Sequence, residues 1–263
     1  MVTAPARDPH APTALLSVEH VSKRFGGVVA VHDCSLRVQS GTITGLIGPN
    51  GAGKTTLFNM IAGVYRPDTG RIWYAGVRLD GLSPSQIARR HIARTFQIAR
   101  VLKRLTVLEN LLVVPQQQAG ERLRSAWFQP RRVAAQERAH RTRAEDILQR
   151  VQLATLRHAY AEHLSGGQKK LLELARVMMS DATLILLDEP GAGVNPTLMR
   201  ELVQHLRQLQ ATGRTFLLIE HNMALVQELC NPVIVMSQGC TLMEGTPQEV
   251  RDDPRVIEAY LGT

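Results

Sequence analysis

Covalent cross-links and structural zinc have little to work with in this chain, which holds three cysteines, Cys34, Cys230 and Cys240, in 263 residues. An odd count with no C-x-x-C spacing argues against both a disulfide framework and a zinc site, and makes a reducing cytosol the simplest compartment. No uninterrupted apolar run approaches the ~20 residues of a membrane-spanning helix, so the chain itself is expected to be soluble. Residues 1–14 carry Arg7 and Asp8 among Ala and Pro, with no apolar stretch of the signal-peptide kind, and read as a disordered leader. Acidic residues are outnumbered, 23 against 31 basic, for a net charge of +8. That excess suits nucleic acid, an anionic membrane surface or bound polyphosphate, and composition does not choose among them. The length favours one large α/β domain over residues 15–263 with an inserted or appended subdomain.

What is present is glycine in a particular place. Gly48 to Thr56 reads GPNGAGKTT, after the apolar run Thr42 to Ile47 and before Leu57, Phe58 and Ile61. This fits G-x-x-x-x-G-K-[ST], a phosphate-cradling loop between a buried strand and a helix. A backbone that wraps phosphates must turn successive N–H groups inward, and Gly48, Gly51 and Gly53 permit the dihedrals, with Pro49, Asn50 and Ala52 between them. Lys54 can reach the terminal phosphates, Thr55 can offer a hydroxyl to Mg²⁺, and the helix beginning near Gly53 adds its positive end, beside Thr56.

Around this loop the chain alternates apolar and polar residues over Leu15–Phe25 and Val28–Val38, with Gly26 and Gly27 between, which predicts an antiparallel hairpin-like sheet. Phe25, in a chain with 4% aromatics, is either a half-buried strand residue or a ring for a nucleotide base. A strand is expected over Arg71–Leu79, a short helix from Ser83, and a strand over Ile92–Gln97 ending in a polar amide. From Ile98 to His163 helix-spaced apolar residues lie amid charges, predicting a helical subdomain over about 98–180. Its cluster Arg131, Arg132, Arg138, Arg141 and Arg143 reads as a solvated helix face, with anionic lipid or RNA as the alternative. A helix is also expected over about 254–261.

Three further stretches carry chemistry. LSGGQ, Leu164–Gln168, places free N–H groups and the Ser165 hydroxyl before a helix, a second anion site that is weak evidence alone. ATLILLDEP, Ala182–Pro190, is a buried strand ending in two carboxylates whose side chains point to opposite sides. Asp188 is suited to Mg²⁺ and Glu189 to orienting or deprotonating an attacking water. A strand over Thr215–His221 ends in a histidine.

In this order, GPNGAGKTT, the glutamine of RTFQ, LSGGQ, LILLDEP, GAGVNP and the histidine of IEHNM resemble the nucleotide-binding subunit of ABC transporters, over most of the chain. The resemblance implies the ABC ATPase fold, a phosphate-loop NTPase core with an antiparallel β subdomain and an inserted α-helical subdomain. It implies ATP and Mg²⁺, with Phe25 against adenine, Gly48–Thr56 around the triphosphate, and Gln97 sensing Mg²⁺ or the attacking water. It makes Asp188 the magnesium residue, Glu189 the catalytic base and His221 the γ-phosphate contact. Ser165, Gly166, Gly167 and Gln168 would act in trans, on ATP bound by a second ATPase subunit in a head-to-tail homo- or heterodimer. Two positions depart from the pattern: Asn195 and Asn222 stand where aspartate is frequent.

Within the family, RTFQIARVLKRLTVLENLLV, PGAGVNP, IEHNMALV and the ending EGTPQEVRDDPRVIEAYLGT look most like ATPases of branched-chain amino acid importers. Related subunits serve urea or amide uptake or extract lipopolysaccharide. The implied partners are membrane permeases at the cytoplasmic face of the inner membrane and, indirectly, a periplasmic binding protein, with no nucleic acid. The competing class, soluble ABC ATPases acting on ribosomes or DNA, usually carries two nucleotide domains or a long coiled-coil insertion, which this chain lacks. A module that binds without hydrolysing is disfavoured, since every catalytic residue type is present.

Overall fold

The computed structural model describes residues 14–94, 101–116, 118–121, 127 and 129–261. The expected leader apart from Ala14, part of the expected helical subdomain, and Gln97 lie outside these residues. The chain opens with β1 (Leu16–Phe25) and β2 (Val28–Val38), an antiparallel pair, then β3 (Ile43–Ile47), buried at all five residues, and α1 (Lys54–Ile61). The stretch expected as one strand over Arg71–Leu79 is instead a hairpin of β4 (Thr69–Tyr74) and β5 (Val77–Arg78). Ala75 and Gly76 both take positive φ, 46° and 78°, the backbone of a two-residue hairpin turn, and Tyr74 pairs with Val77 across it.

Ser83 caps α2 (Pro84–Ala88) with a full capping box, and β6 (Ile92–Arg94) follows. Three helices then dominate: α3 (Val107–Leu112), α4 (Pro130–Arg150) and α5 (Gly166–Met179). The last part alternates strand and helix: β7 (Leu184–Asp188), α6 (Pro196–Ala211), β8 (Thr215–Ile219), α7 (Met223–Leu229) and β9 (Val233–Ser237). β10 (Cys240–Gly245), α8 (Pro247–Asp252) and α9 (Pro254–Leu261) close the chain.

The strands form two sheets, ordered β2-β1-β4-β5 and β10-β9-β3-β8-β7-β6; the second is parallel except for its edge strand β10. Its central strands are buried on both faces, so their apolar residues sort by parity. Ile185, Leu187, Phe216 and Leu218 enter one cluster with α5, α6 and the helices α3 and α4. Leu184, Leu186, Leu217 and Ile219 enter another with α1, β1 and β2. The first sheet is pinned to the edge of the second where the Thr241 hydroxyl donates to Ser35 O at 2.7 Å and His32 N donates to Gly239 O at 2.9 Å. On α4, Arg131, Arg132, Arg138 and Arg141 are exposed, the solvated face expected of them. Arg143 instead reaches back to the end of α5, bonding Met178 O at 3.2 Å and Asp181 at 3.1 Å.

Candidate active site

Parallel strands deliver their carboxyl ends to one edge of the sheet, and ligands of open α/β sheets bind there. β3 leads into the Gly48 loop, β7 ends at Asp188 with Glu189 next, and β8 leads into Glu220 and His221. Gly48 has φ 149°, and a Cβ there would stand 2.0 Å from Met236 O on β9, so no other residue fits. Gly53, at φ 95°, is the N-cap of α1, and the Lys54 side chain is folded back over the loop. Its ammonium donates to Gly48 O at 2.7 Å and Pro49 O at 2.8 Å, and the residue is only 6% exposed. Burial pulls its pKa below the ordinary lysine value, while the carboxylates of Glu189 and Asp188 oppose that shift.

The loop walls a cleft of about 440 Å³ lined by Asn50, Gly51, Ala52, Gly53, Lys54, Thr55 and Thr56 on one side, Val28, Val29 and Ala30 on another, and Glu189, Ile219 and His221 at the far end. His221 Nε2 lies 3.1 Å from Glu189 Oε1, so the two residues expected to flank the terminal phosphate already touch. Glu189 holds φ 49°, a left-handed backbone for a residue that is not glycine, stabilised by its N–H donating to Ile219 O at 2.9 Å. Asp188 is 3% exposed and takes a 3.2 Å bond from Arg94, whose other amino group donates to Asn59 at 2.6 Å. Burial raises the Asp188 pKa above the usual carboxylate value, with the Arg94 guanidinium acting against that rise.

Not every expected residue meets in this cleft. Phe25 is 41% exposed, outside the described cleft lining, with its ring edge-on to Tyr65 at 5.0 Å. Ser165, Gly166, Gly167 and Gln168 are also outside the described cleft lining, and they form the cap and first turn of α5 rather than a loop before it. Ser165 Oγ accepts from Gln168 N at 3.2 Å, and Gln168 Oε1 accepts from Ser165 N at 2.9 Å, a capping box. Gly167 packs so closely on α6 that a Cβ would stand 2.7 Å from the Leu198 side chain.

The loop, the strand-end acids and the histidine can be set beside known proteins. The profile of the ABC transporter family matches residues 31–192. The chain belongs to the ABC transporter family. A second profile, of branched-chain amino acid ATP-binding cassette transporters, matches residues 240–263. The chain is similar to a probable branched-chain amino acid transport ATP-binding protein, LivG, of Archaeoglobus fulgidus, 40% identical over 94% of this chain and 95% of that protein. It is 41% identical to the high-affinity LivG of Salmonella typhimurium, over 94% of this chain and 98% of that one. Among solved structures, a nucleotide-free ATP-binding cassette from an ABC transporter superposes with a TM-score of 0.81 at 36% identity, covering 95% of this chain and all of the other. The ADP conformation of an ATP-binding cassette of an ABC transporter gives a TM-score of 0.79 at 34% identity, over 95% of this chain and 100% of that one.

Within this cassette the two asparagine departures have local roles. Asn195 caps α6, its Oδ1 accepting from Leu198 N at 2.9 Å, and Asn222 caps α7 by accepting from Ala224 N at 3.0 Å and Leu225 N at 3.3 Å. Asparagine and aspartate cap about equally well, so neither departure disturbs the cassette's helix starts. Sequence reasoning missed Arg94 and Glu220. Arg94 sits beside the glutamine motif and Glu220 beside the histidine, and only the packing of β6, β7 and β8 brings them to the site.

Proposed function

We propose that the chain is the ATP-hydrolysing subunit of an importer for branched-chain or related amino acids, held at the cytoplasmic face of the inner membrane. Its partners are permease subunits and a second cassette, with a periplasmic binding protein acting on the permeases from the other side. Among the described residues no helix is long and apolar enough to cross a membrane, consistent with a peripheral subunit. The substrate class rests on the LivG relatives and the profile match at residues 240–263.

The observation that carries the mechanism is the cleft with a phosphate loop at one end and the touching pair Glu189 and His221 at the other. Lys54 leaves its loop carbonyls for the β- and γ-phosphates, and the loop N–H groups from Asn50 to Thr56 bind the remaining oxygens. Asp188 and Thr55 are the residues that would hold Mg²⁺; Gln97, to which the resemblance gives the sensing of Mg²⁺ or the attacking water, lies outside the described residues. Asp188 already faces a cation, Arg94, and its oxygens with the Thr55 hydroxyl suit this hard ion. Among the described residues no group of three or more His, Cys, Asp or Glu could hold a metal, which fits an ion bound largely through substrate phosphates. When bound, Mg²⁺ would supply neutralisation of the charge on the phosphates. Glu189 takes a proton from the water attacking in line, and His221 turns from Glu189 Oε1 to a γ-phosphate oxygen. Ser165 to Gln168, which are outside the described lining of the chain's own cleft, close the ATP held by the second cassette, and Phe25 packs against the adenine.

Tagged chain recovered from detergent-solubilised host membranes is expected to bring polytopic permeases with it, and its deletion should abolish high-affinity uptake of labelled leucine. Recovery with ribosomes or DNA and no membrane protein would overturn the transport reading.

A further inference from the structure

The parallel ladder between β7 and β8 ends at the pair Asp188–Ile219, with Glu189 N donating to Ile219 O just beyond it. One side chain bridges the segments that follow. Glu220 is 3% exposed, and its Oε1 accepts from Gly191 N at 2.7 Å while Oε2 accepts from His221 N at 3.0 Å and Asn222 N at 3.2 Å. A buried carboxylate is costly unless its oxygens are bonded, and here all three bonds go to the backbone that carries Glu189 on one side and His221 on the other. The fit is tight: a Cβ at Gly191 would stand 2.8 Å from Glu220 Oε1. Ala192 N donates to Glu189 O at 3.1 Å, so the tethered turn closes directly on the proposed base.

We propose that Glu220 is a positioning residue for hydrolysis: without reaching the nucleotide, it fixes the base loop and the histidine loop relative to each other, setting the 3.1 Å contact of His221 with Glu189. Glutamine at this site keeps shape and volume but turns an NH₂ toward an N–H, so one of the two loops is released. This rests on the assignment of Glu189 and His221 as hydrolytic residues.

The test compares Glu220→Gln, Gly191→Ala and Glu189→Gln with wild type as full chains, reading kcat, KM for ATP and the number of ATP sites per chain by equilibrium titration. A misplacement of this kind is expected to lower kcat for Glu220→Gln by about tenfold to a hundredfold, with KM within about twofold and one site per chain retained. Gly191→Ala, whose methyl would press on Glu220 Oε1 as well as on the Met199 and Leu225 side chains, should show the same split and serves where Glu220→Gln does not fold. A kcat within about twofold of wild type for the folded variants, or a fall in kcat matched by loss of ATP sites, overturns the proposal. If that happens while Glu189→Gln is inactive, the Glu220 proposal fails alone; if Glu189→Gln hydrolyses like wild type, the assignment beneath it fails as well.

Discussion

Replacing Arg94 by methionine should expose the electrostatic cost of the acid at the end of β7. The guanidinium is 10% exposed and Asp188 3%, so water does not compensate for the lost partner. Removing one member of a buried ion pair costs about 3–5 kcal/mol, and the 3.2 Å separation places this pair near the low end. The 2.6 Å bond to Asn59 goes as well, so a loss of at least about 3 kcal/mol is expected at neutral pH. For a chain of this size that lowers the melting midpoint by about 6–12 °C. The sign of the pH dependence follows from Asp188, whose pKa burial already raises while Arg94 restrains it. Without Arg94 the upward pushes of burial and Glu189 are opposed by Lys170 alone, so the native state keeps a proton that the unfolded chain releases, and stability falls as pH rises from the unfolded value toward the native one. Circular dichroism melts of both proteins at pH 5.0 and 7.5 should therefore show a larger deficit for Arg94→Met at pH 7.5. A deficit below about 1 kcal/mol, or one equal at both values, would refute a strained acid held by this arginine.

Other outcomes follow from the same geometry. Lys54→Ala should weaken binding of a fluorescent ATP analogue by at least about tenfold, since a buried charge-assisted contact is lost, and unchanged affinity would contradict its role. Gly48→Ala, with a Cβ 2.0 Å from Met236 O, should both lower the melting midpoint and abolish ATP binding; a stable variant that binds normally would contradict the close approach. The Cys230 thiol is pushed up to about 12 by burial, and Cys34 is also raised, so in the native protein an aromatic disulfide reagent should label Cys240 alone until denaturant exposes the other two.

The site was legible in the sequence wherever its chemistry is local. Glycine spacing announces the phosphate loop because the dihedrals at Gly48, Gly51 and Gly53 belong to the backbone itself. The apolar runs before Asp188 and His221 announce strands because parallel strands bury both faces. Arg94 and Glu220 were illegible because each is a lone charge beside a motif, and its partners, Asp188 and Gly191, lie 94 and 29 residues away. The hairpin of β4 and β5 is hard to read because Ala75–Gly76 is a weak turn signal beside Asn-Gly, and the sequence sets LSGGQ before the helix because its glycines hide a first helical turn fixed by Ser165 and Gln168.

In the proposed arrangement each ATP is held by the phosphate loop of one cassette and the Ser165 turn of another. Lys54→Ala disables the first and Ser165→Arg the second, so each variant is expected to be inactive alone. Mixed as full chains, the two can form a pair in which an intact loop meets an intact Ser165 turn, and ATP hydrolysis should return. Hydrolysis that stays at the level of the separate variants, although the chains associate, would contradict a site shared between two subunits.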